Sequence, residues 1–129
     1  MKTVFITGAT QNTGLAIARY FAIKGYQIAI SSRRIETAEE TAAELSKAYG
    51  IKAKGYTLSL TDVGEIKAVF QDVRQTFGGL DVFVGNAANL GIGQDILAAT
   101  EEEFDSVMDV NIKGNYFCCQ QAALLMKSS

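Results

Sequence analysis

Eight residues near the amino terminus, Thr7-Gly8-Ala9-Thr10-Gln11-Asn12-Thr13-Gly14, have the makeup of a phosphate-binding turn, with small or polar side chains and glycine near each end. They lie between the apolar run Val4-Phe5-Ile6 and an apolar helical pattern that begins at Leu15. A strand, a tight turn and a helix in succession aim unpaired backbone N–H groups, at the positive end of the helix dipole, at an approaching phosphate. A second cluster, Ser31-Ser32-Arg33-Arg34, follows another apolar run. Its guanidiniums and hydroxyls suit a phosphate, whereas a dinucleotide fold that takes NAD usually places a carboxylate there for the ribose 2′-hydroxyl. This favours NADP, with NAD still possible. Proton chemistry must come from Tyr, Lys, Asp or Glu, because the chain has no histidine. That removes Ser-His-Asp and Cys-His nucleophiles and any His-bearing zinc site. Cys118 and Cys119 are adjacent, which is neither a disulfide framework nor metal-ligand spacing, so they read as small apolar residues on a buried helix and no metal is expected.

These groups need elements to hold them. With 129 residues, 48% hydrophobic and 20% charged, the chain can build one globular domain or part of one. No apolar run approaches the ~18 residues of a membrane helix, and no signal-like segment opens the chain, so no membrane partner and a cytoplasmic location are expected. A net charge of −2 gives nucleic acid no basic surface to bind.

Thr3 to Thr7 is a nearly continuous apolar run without alternation, as in a strand covered on both faces. Leu15 to Lys24 is apolar almost all round and reads as a largely buried helix stopped by Gly25. Tyr26 to Ser31 is a second strand, followed by a helix whose apolar face is Ala38, Ala42, Leu45 and Tyr49 and which Gly50 ends. Ile51 to Leu58 is a third strand. Thr61-Asp62 opens a helix with the stripe Val63, Ile66, Phe70, Val73 and Phe77, closed by Gly78-Gly79, before a fourth strand at Leu80 to Val84. After a loop from Asn86 to Ala98, Thr100 and Glu103 form a capping box for a helix to about Lys127, bent near Gly114.

Strands alternating with helices predict an α/β fold, a Rossmann-type doubly wound parallel sheet whose four strands lie in the order 3-2-1-4. Residues 1–129 are then a partial dinucleotide-binding domain with an incomplete sheet. A ligand would sit outside the carboxyl ends of strands 1 and 4, where the winding reverses.

The residues resemble the short-chain dehydrogenases/reductases. The resemblance rests on four features in family order over essentially the whole chain. They are the Thr7-Gly8-x-x-x-x-x-Gly14 turn, Thr61-Asp62 after strand 3, Asp81-Val82-Phe83-Val84-Gly85-Asn86-Ala87-Ala88 where the family has an Asn-Asn-Ala-Gly turn, and Asp109-Val110-Asn111-Ile112-Lys113-Gly114. It implies an NAD(P)(H)-dependent oxidoreductase that passes a hydride between the nicotinamide and a small-molecule carbonyl or alcohol, homo-oligomeric when intact. It implies further that Gly8, Thr10, Asn12, Thr13 and Gly14 hold the pyrophosphate and adjoining ribose, with Ser32 and Arg33 at the 2′ position. Ser59 and Leu60 would border the adenine, and Asn86, Ala87 and Ala88 the nicotinamide-side ribose. Asn111 matches the asparagine of the family's catalytic set, which supports a water in the proton path.

There are departures. Asn12 stands for the family's middle glycine, Ser59 for an aspartate, Gly85 and Ala88 for an Asn and a Gly, and Gln11 for a basic residue common in NADP-binding members. The family's serine and Tyr-x-x-x-Lys would follow Ser129. The one such pattern present, Tyr20 to Lys24, reads as a buried tyrosine with a snorkelling lysine at the wrong end of the sheet, and Ser128 and Ser129 come straight off a helix.

The expectation is therefore the cofactor-binding part of such an enzyme, inactive alone. It would have an open edge at strand 4 and uncovered apolar surface around Tyr116, Phe117 and Leu124 to Met126. The alternative is a naturally short, non-catalytic nucleotide-binding or regulatory module. A methyltransferase-like Rossmann fold would want an acid after strand 2, against Ser32-Arg33. The loop Asn89-Leu90-Gly91-Ile92-Gly93 is expected to border the substrate.

Overall fold

β1 (Thr3–Ile6) is the central ladder of the sheet: in the computed structural model, which describes residues 1–89 and 95–128, it pairs in parallel with β2 (Gln27–Ser32) on one side and β4 (Val82–Val84) on the other. β3 (Ala53–Thr57) adds to the far side of β2, giving the order β3-β2-β1-β4. The register sets Phe5 opposite Ala29 and Phe83. Residues 90–94 and 129 lie outside the described residues, and with them most of the loop expected to border the substrate, as well as Ser129.

The unbroken apolar run of β1 has the cause inferred for it, since both faces are covered. On one face Val4, Ile6, Ile28 and Ile30 pack with Ala18 and Ala22 of α1 (Asn12–Ile23) and with Ala42 and Leu45 of α2 (Ile35–Tyr49). On the other, Phe5, Ala29 and Tyr56 meet Ile66, Phe70 and Val73 of α3 (Val63–Phe77) and Cys118, Ala122 and Leu125 of α5 (Asn115–Ser128). Phe5 is the hub of an aromatic cluster, with ring centroids 5.1 Å from Phe70 and 5.8 Å from Phe83.

Helix ends follow the expected chemistry. Asp62 accepts from the Glu65 N–H at 3.1 Å to start α3, and Gly50 and Gly78 end α2 and α3 in the left-handed conformation. Thr100 and Glu103 satisfy each other's backbone N–H at 3.1 Å at the start of α4 (Glu101–Met108).

Across the second face, Asp72 Oδ2 accepts from Lys54 Nζ and Tyr56 OH, each at 2.7 Å, and from Thr76 Oγ1 at 3.1 Å, which ties β3 to α3. The Lys54 ammonium, then the Tyr56 hydroxyl, hold the Asp72 carboxyl below its usual range, while burial and Asp72 push Tyr56 up.

Several expectations need correction. α1 is not largely buried: only Gly14, Ala18 and Ala22 are, because these small residues let the helix lie close to the sheet while its other side faces water. Tyr20, expected inside, is 57% exposed, with the Lys24 ammonium 5.5 Å from its ring centroid. Tyr49 is also exposed, and of the cysteine pair only Cys118 is buried, its thiol pushed up to about 12 by burial, whereas Cys119 faces solvent. Finally, the long carboxy-terminal helix does not merely bend near Gly114. A π-helical turn, Asp109–Gly114, separates α4 from α5. Gly114 lies so close to the segment after β3 that a Cβ there would sit 2.4 Å from the Leu60 carbonyl oxygen. Among the described residues no helix is long and apolar enough to cross a membrane.

Candidate functional site

β1 delivers the chain into the turn with Thr7 fully buried, and Ala9 N–H then donates to the Ser31 carbonyl at 3.1 Å, so the turn is anchored to the end of β2. Gly8 has φ +65°, and Asn12 has φ +52°, the only positive φ on a residue other than glycine among those described. Asparagine tolerates that conformation better than other side-chain-bearing residues, which is how it stands at a position where glycine is common.

Gly14 is fixed by space. A Cβ on it would lie 2.2 Å from the Gly8 carbonyl oxygen and 2.7 Å from Asn86 Nδ2. The first turn of α1 thus lies directly on the strand end, and Asn12, Thr13 and Gly14 belong to the helix rather than to the loop before it.

The start of α1 differs from those of α3 and α4. Gln11, at its N-cap, makes no side-chain bond to the exposed amides, and no acidic residue occupies the first turn. Asp62 and Thr100 cap α3 and α4, whereas α2, whose N-cap Arg34 likewise makes no side-chain bond, carries Glu36 in its first turn. Free amides at the positive end of a dipole, floored by glycine, are what a pyrophosphate would use. Thr10 is half-buried beside them, and Asn12 and Thr13 are exposed.

The turn after β4 closes onto this floor. Thr7 Oγ1 accepts from the N–H groups of Asn86 and Ala87, at 3.0 and 3.1 Å, and Asn86 Nδ2 donates to the Gly8 carbonyl at 2.9 Å. Gly8, Gly14, Asn86 and Ala87 are in this way brought into one contact, at the carboxyl ends of β1 and β4, with Ala88 exposed next to them.

At the end of β2 the Ser32 hydroxyl donates to the Arg34 carbonyl at 2.7 Å and accepts from the Arg34 N–H at 3.1 Å. Thr57 Oγ1 fixes the Arg33 carbonyl at 3.1 Å. The backbone is pinned, while the guanidiniums of Arg33 and Arg34 are exposed and outside any ion pair among the described residues. Ser59 is exposed, its N–H donating to Glu65 at 3.0 Å and its hydroxyl 2.9 Å from that of Thr61. Leu60 turns into the core.

Asn111 stands in the π-helical turn, where its side chain accepts from the Asn89 N–H and donates to the Asn89 carbonyl, both at 2.7 Å. The amide pair ties the segment after β4 to the helix. Tyr20 and Lys24 lie at the opposite end of α1 from the turn.

Sequence reasoning missed Asn115. Its Nδ2 donates to the carbonyls of Asn111, Val110 and Ala87 at 3.2, 3.3 and 3.5 Å, so it spans the π turn and the turn after β4. The one available signal was a polar residue opening the otherwise apolar run Tyr116-Phe117-Cys118.

The family model for short chain dehydrogenase matches residues 2–129. A 3-oxoacyl-[acyl-carrier-protein] reductase of Staphylococcus aureus is 35% identical over 123 residues, covering 94% of this chain and 49% of that protein. Among solved structures, an alcohol dehydrogenase from the archaeon Thermococcus sibiricus complexed with 5-hydroxy-NADP aligns with a TM-score of 0.92 at 31% identity, over 99% of this chain and 54% of that one. A 3-oxoacyl-[acyl-carrier protein] reductase from Brucella melitensis in complex with NAD aligns with a TM-score of 0.91 at 34% identity, over 98% and 49%. The chain spans about half the length of the curated relatives it matches.

Proposed function

The chain belongs to the short chain dehydrogenase family, and on that premise we propose that it is the cofactor-binding half of an NAD(P)(H)-dependent oxidoreductase acting on a small-molecule carbonyl or alcohol, with NADP preferred. The observation that carries this reading is the uncapped amino terminus of α1, floored by Gly8 and Gly14 and closed by Asn86. The residues fit a dinucleotide. Gly8, Thr10, Asn12, Thr13 and Gly14 hold its pyrophosphate and adjoining ribose, and Ser59 with the main chain at Leu60 borders its adenine. Asn86, Ala87 and Ala88 hold the nicotinamide-side ribose.

The nicotinamide, when bound, supplies the hydride. The chain's own part is to bind and orient it. Ser32 holds the Arg33 segment, and the unpaired Arg33 guanidinium meets the 2′-phosphate, where no carboxylate stands to repel it. Asn111, clamped to Asn89, supports the water of the proton path. With the family's serine, tyrosine and lysine absent from these residues, the chain alone binds without catalysing. The intact protein is a cytoplasmic homo-oligomer in this reading.

Titration of NADPH and NADH, followed by nicotinamide fluorescence, tests the preference. NADPH is expected to bind more tightly, and Arg33→Ala to weaken it about tenfold or more, the worth of a charge-assisted hydrogen bond, with NADH unchanged. Equal or stronger NADH binding, or an unaltered NADPH affinity in the variant, would overturn the NADP preference.

A further inference from the structure

Asn115 carries the only buried side-chain polar atom without a hydrogen-bond partner among the described residues, its Oδ1. That atom faces Gly85, where an added Cβ would lie 3.1 Å away. The residue that follows β4 therefore leaves room for an amide reaching in from the helix side. The other end of the amide is fully used, with Nδ2 facing the carbonyls of Asn111, Val110 and Ala87, and three acceptors around it fix which end is nitrogen.

The π-helical turn makes this possible. Its wider coil presents the carbonyls at positions 110 and 111 to the side chain at 115, while Gly114 seats the turn against Leu60. Thr7 grips the turn after β4 from the sheet and Asn115 grips it from the helix.

We propose that Asn115 is a positioning residue for the nicotinamide half of the cofactor, acting through Ala87 and through the segment that carries Asn111. This rests on the function proposed above. An unpaired buried acceptor costs stability, and a shorter apolar side chain would escape that cost. Placing this amide here therefore serves the two segments it joins rather than the fold as a whole.

The test is calorimetric titration of the chain with whole dinucleotides, NADPH and NADH, and with their adenine halves, adenosine 2′,5′-bisphosphate and ADP. Asn115→Ala is expected to weaken the better dinucleotide about tenfold, as for one lost anchoring hydrogen bond, and to leave the matching adenine half within about twofold. Its thermal midpoint should stay within about 2 °C of the parent, since the lost bonds and the relieved orphan offset one another.

Gly85→Ala, which presses on Asn115 Oδ1 from the strand side, should show the same split, and it decides the matter if Asn115→Ala does not fold. Equal losses for whole and half would make Asn115 a structural residue only and overturn the proposal, as would an unchanged dinucleotide affinity. If the unaltered chain binds neither dinucleotides nor halves, the cofactor reading itself fails, and this inference fails with it.

Discussion

Gly14→Ala is expected to be the most damaging single-methyl change in the chain's candidate site. The new Cβ would meet the Gly8 carbonyl oxygen at 2.2 Å, the Ala9 Cα at 2.9 Å and Asn86 Nδ2 at 2.7 Å. Two of the three are backbone atoms and cannot turn away, and the third belongs to the side chain that closes the turn after β4. The start of α1 must lift from the sheet, at a cost of about 3 kcal/mol, the upper part of the range for overpacking. That is a large fraction of the ~5–15 kcal/mol that holds a domain together. A shift of the urea midpoint of this size, with loss of NADPH binding, is the expected outcome. Stability within about 0.5 kcal/mol of the parent would show that the helix is not seated on the turn in this way.

Thr7→Val keeps shape and burial but removes the acceptor for two backbone N–H groups. Asn86 N–H retains the Val84 carbonyl at 3.1 Å, whereas Ala87 N–H is left with no partner among the described residues. The expected loss is about 1–2 kcal/mol, the cost of a part-buried donor left unsatisfied, together with weaker dinucleotide binding because the turn after β4 loosens. Thr7→Ser keeps the oxygen and drops one methyl, so it should cost about 1 kcal/mol and leave binding intact. Urea denaturation of both variants checks the order. A valine variant as stable as the serine one would mean that the hydroxyl does not hold the turn.

Most of the fold is legible from local chemistry. β1 shows as a strand covered twice because no polar residue interrupts Val4-Phe5-Ile6, and both core clusters meet there. The ends of α3 and α4 are legible because Asp62 and Thr100 cap their own helices, an interaction decided within four residues. The convergence of Gly8, Gly14 and Asn86 follows from strand order.

What sequence could not convey are matters of which face meets which neighbour. Tyr20 and Ile23 continue an apolar pattern yet face water, because close contact with the sheet falls to Ala18 and Ala22 and leaves the bulky residues outside. The π turn has no periodic signature, for one extra residue in a helix alters backbone pairing without altering composition. Asn115 was illegible for the same reason: its partners lie one widened turn back and across on β4's loop.

If three separated segments form one dinucleotide site, amide NMR of the isotope-labelled chain during NADPH titration will register all three together. Saturable shifts are expected at the amides of residues 8–14, at Ser32 and Arg33, and at residues 86–88, all following one binding curve. No shifts at saturating NADPH, or shifts confined to surfaces away from the carboxyl ends of β1, β2 and β4, would contradict a single site there.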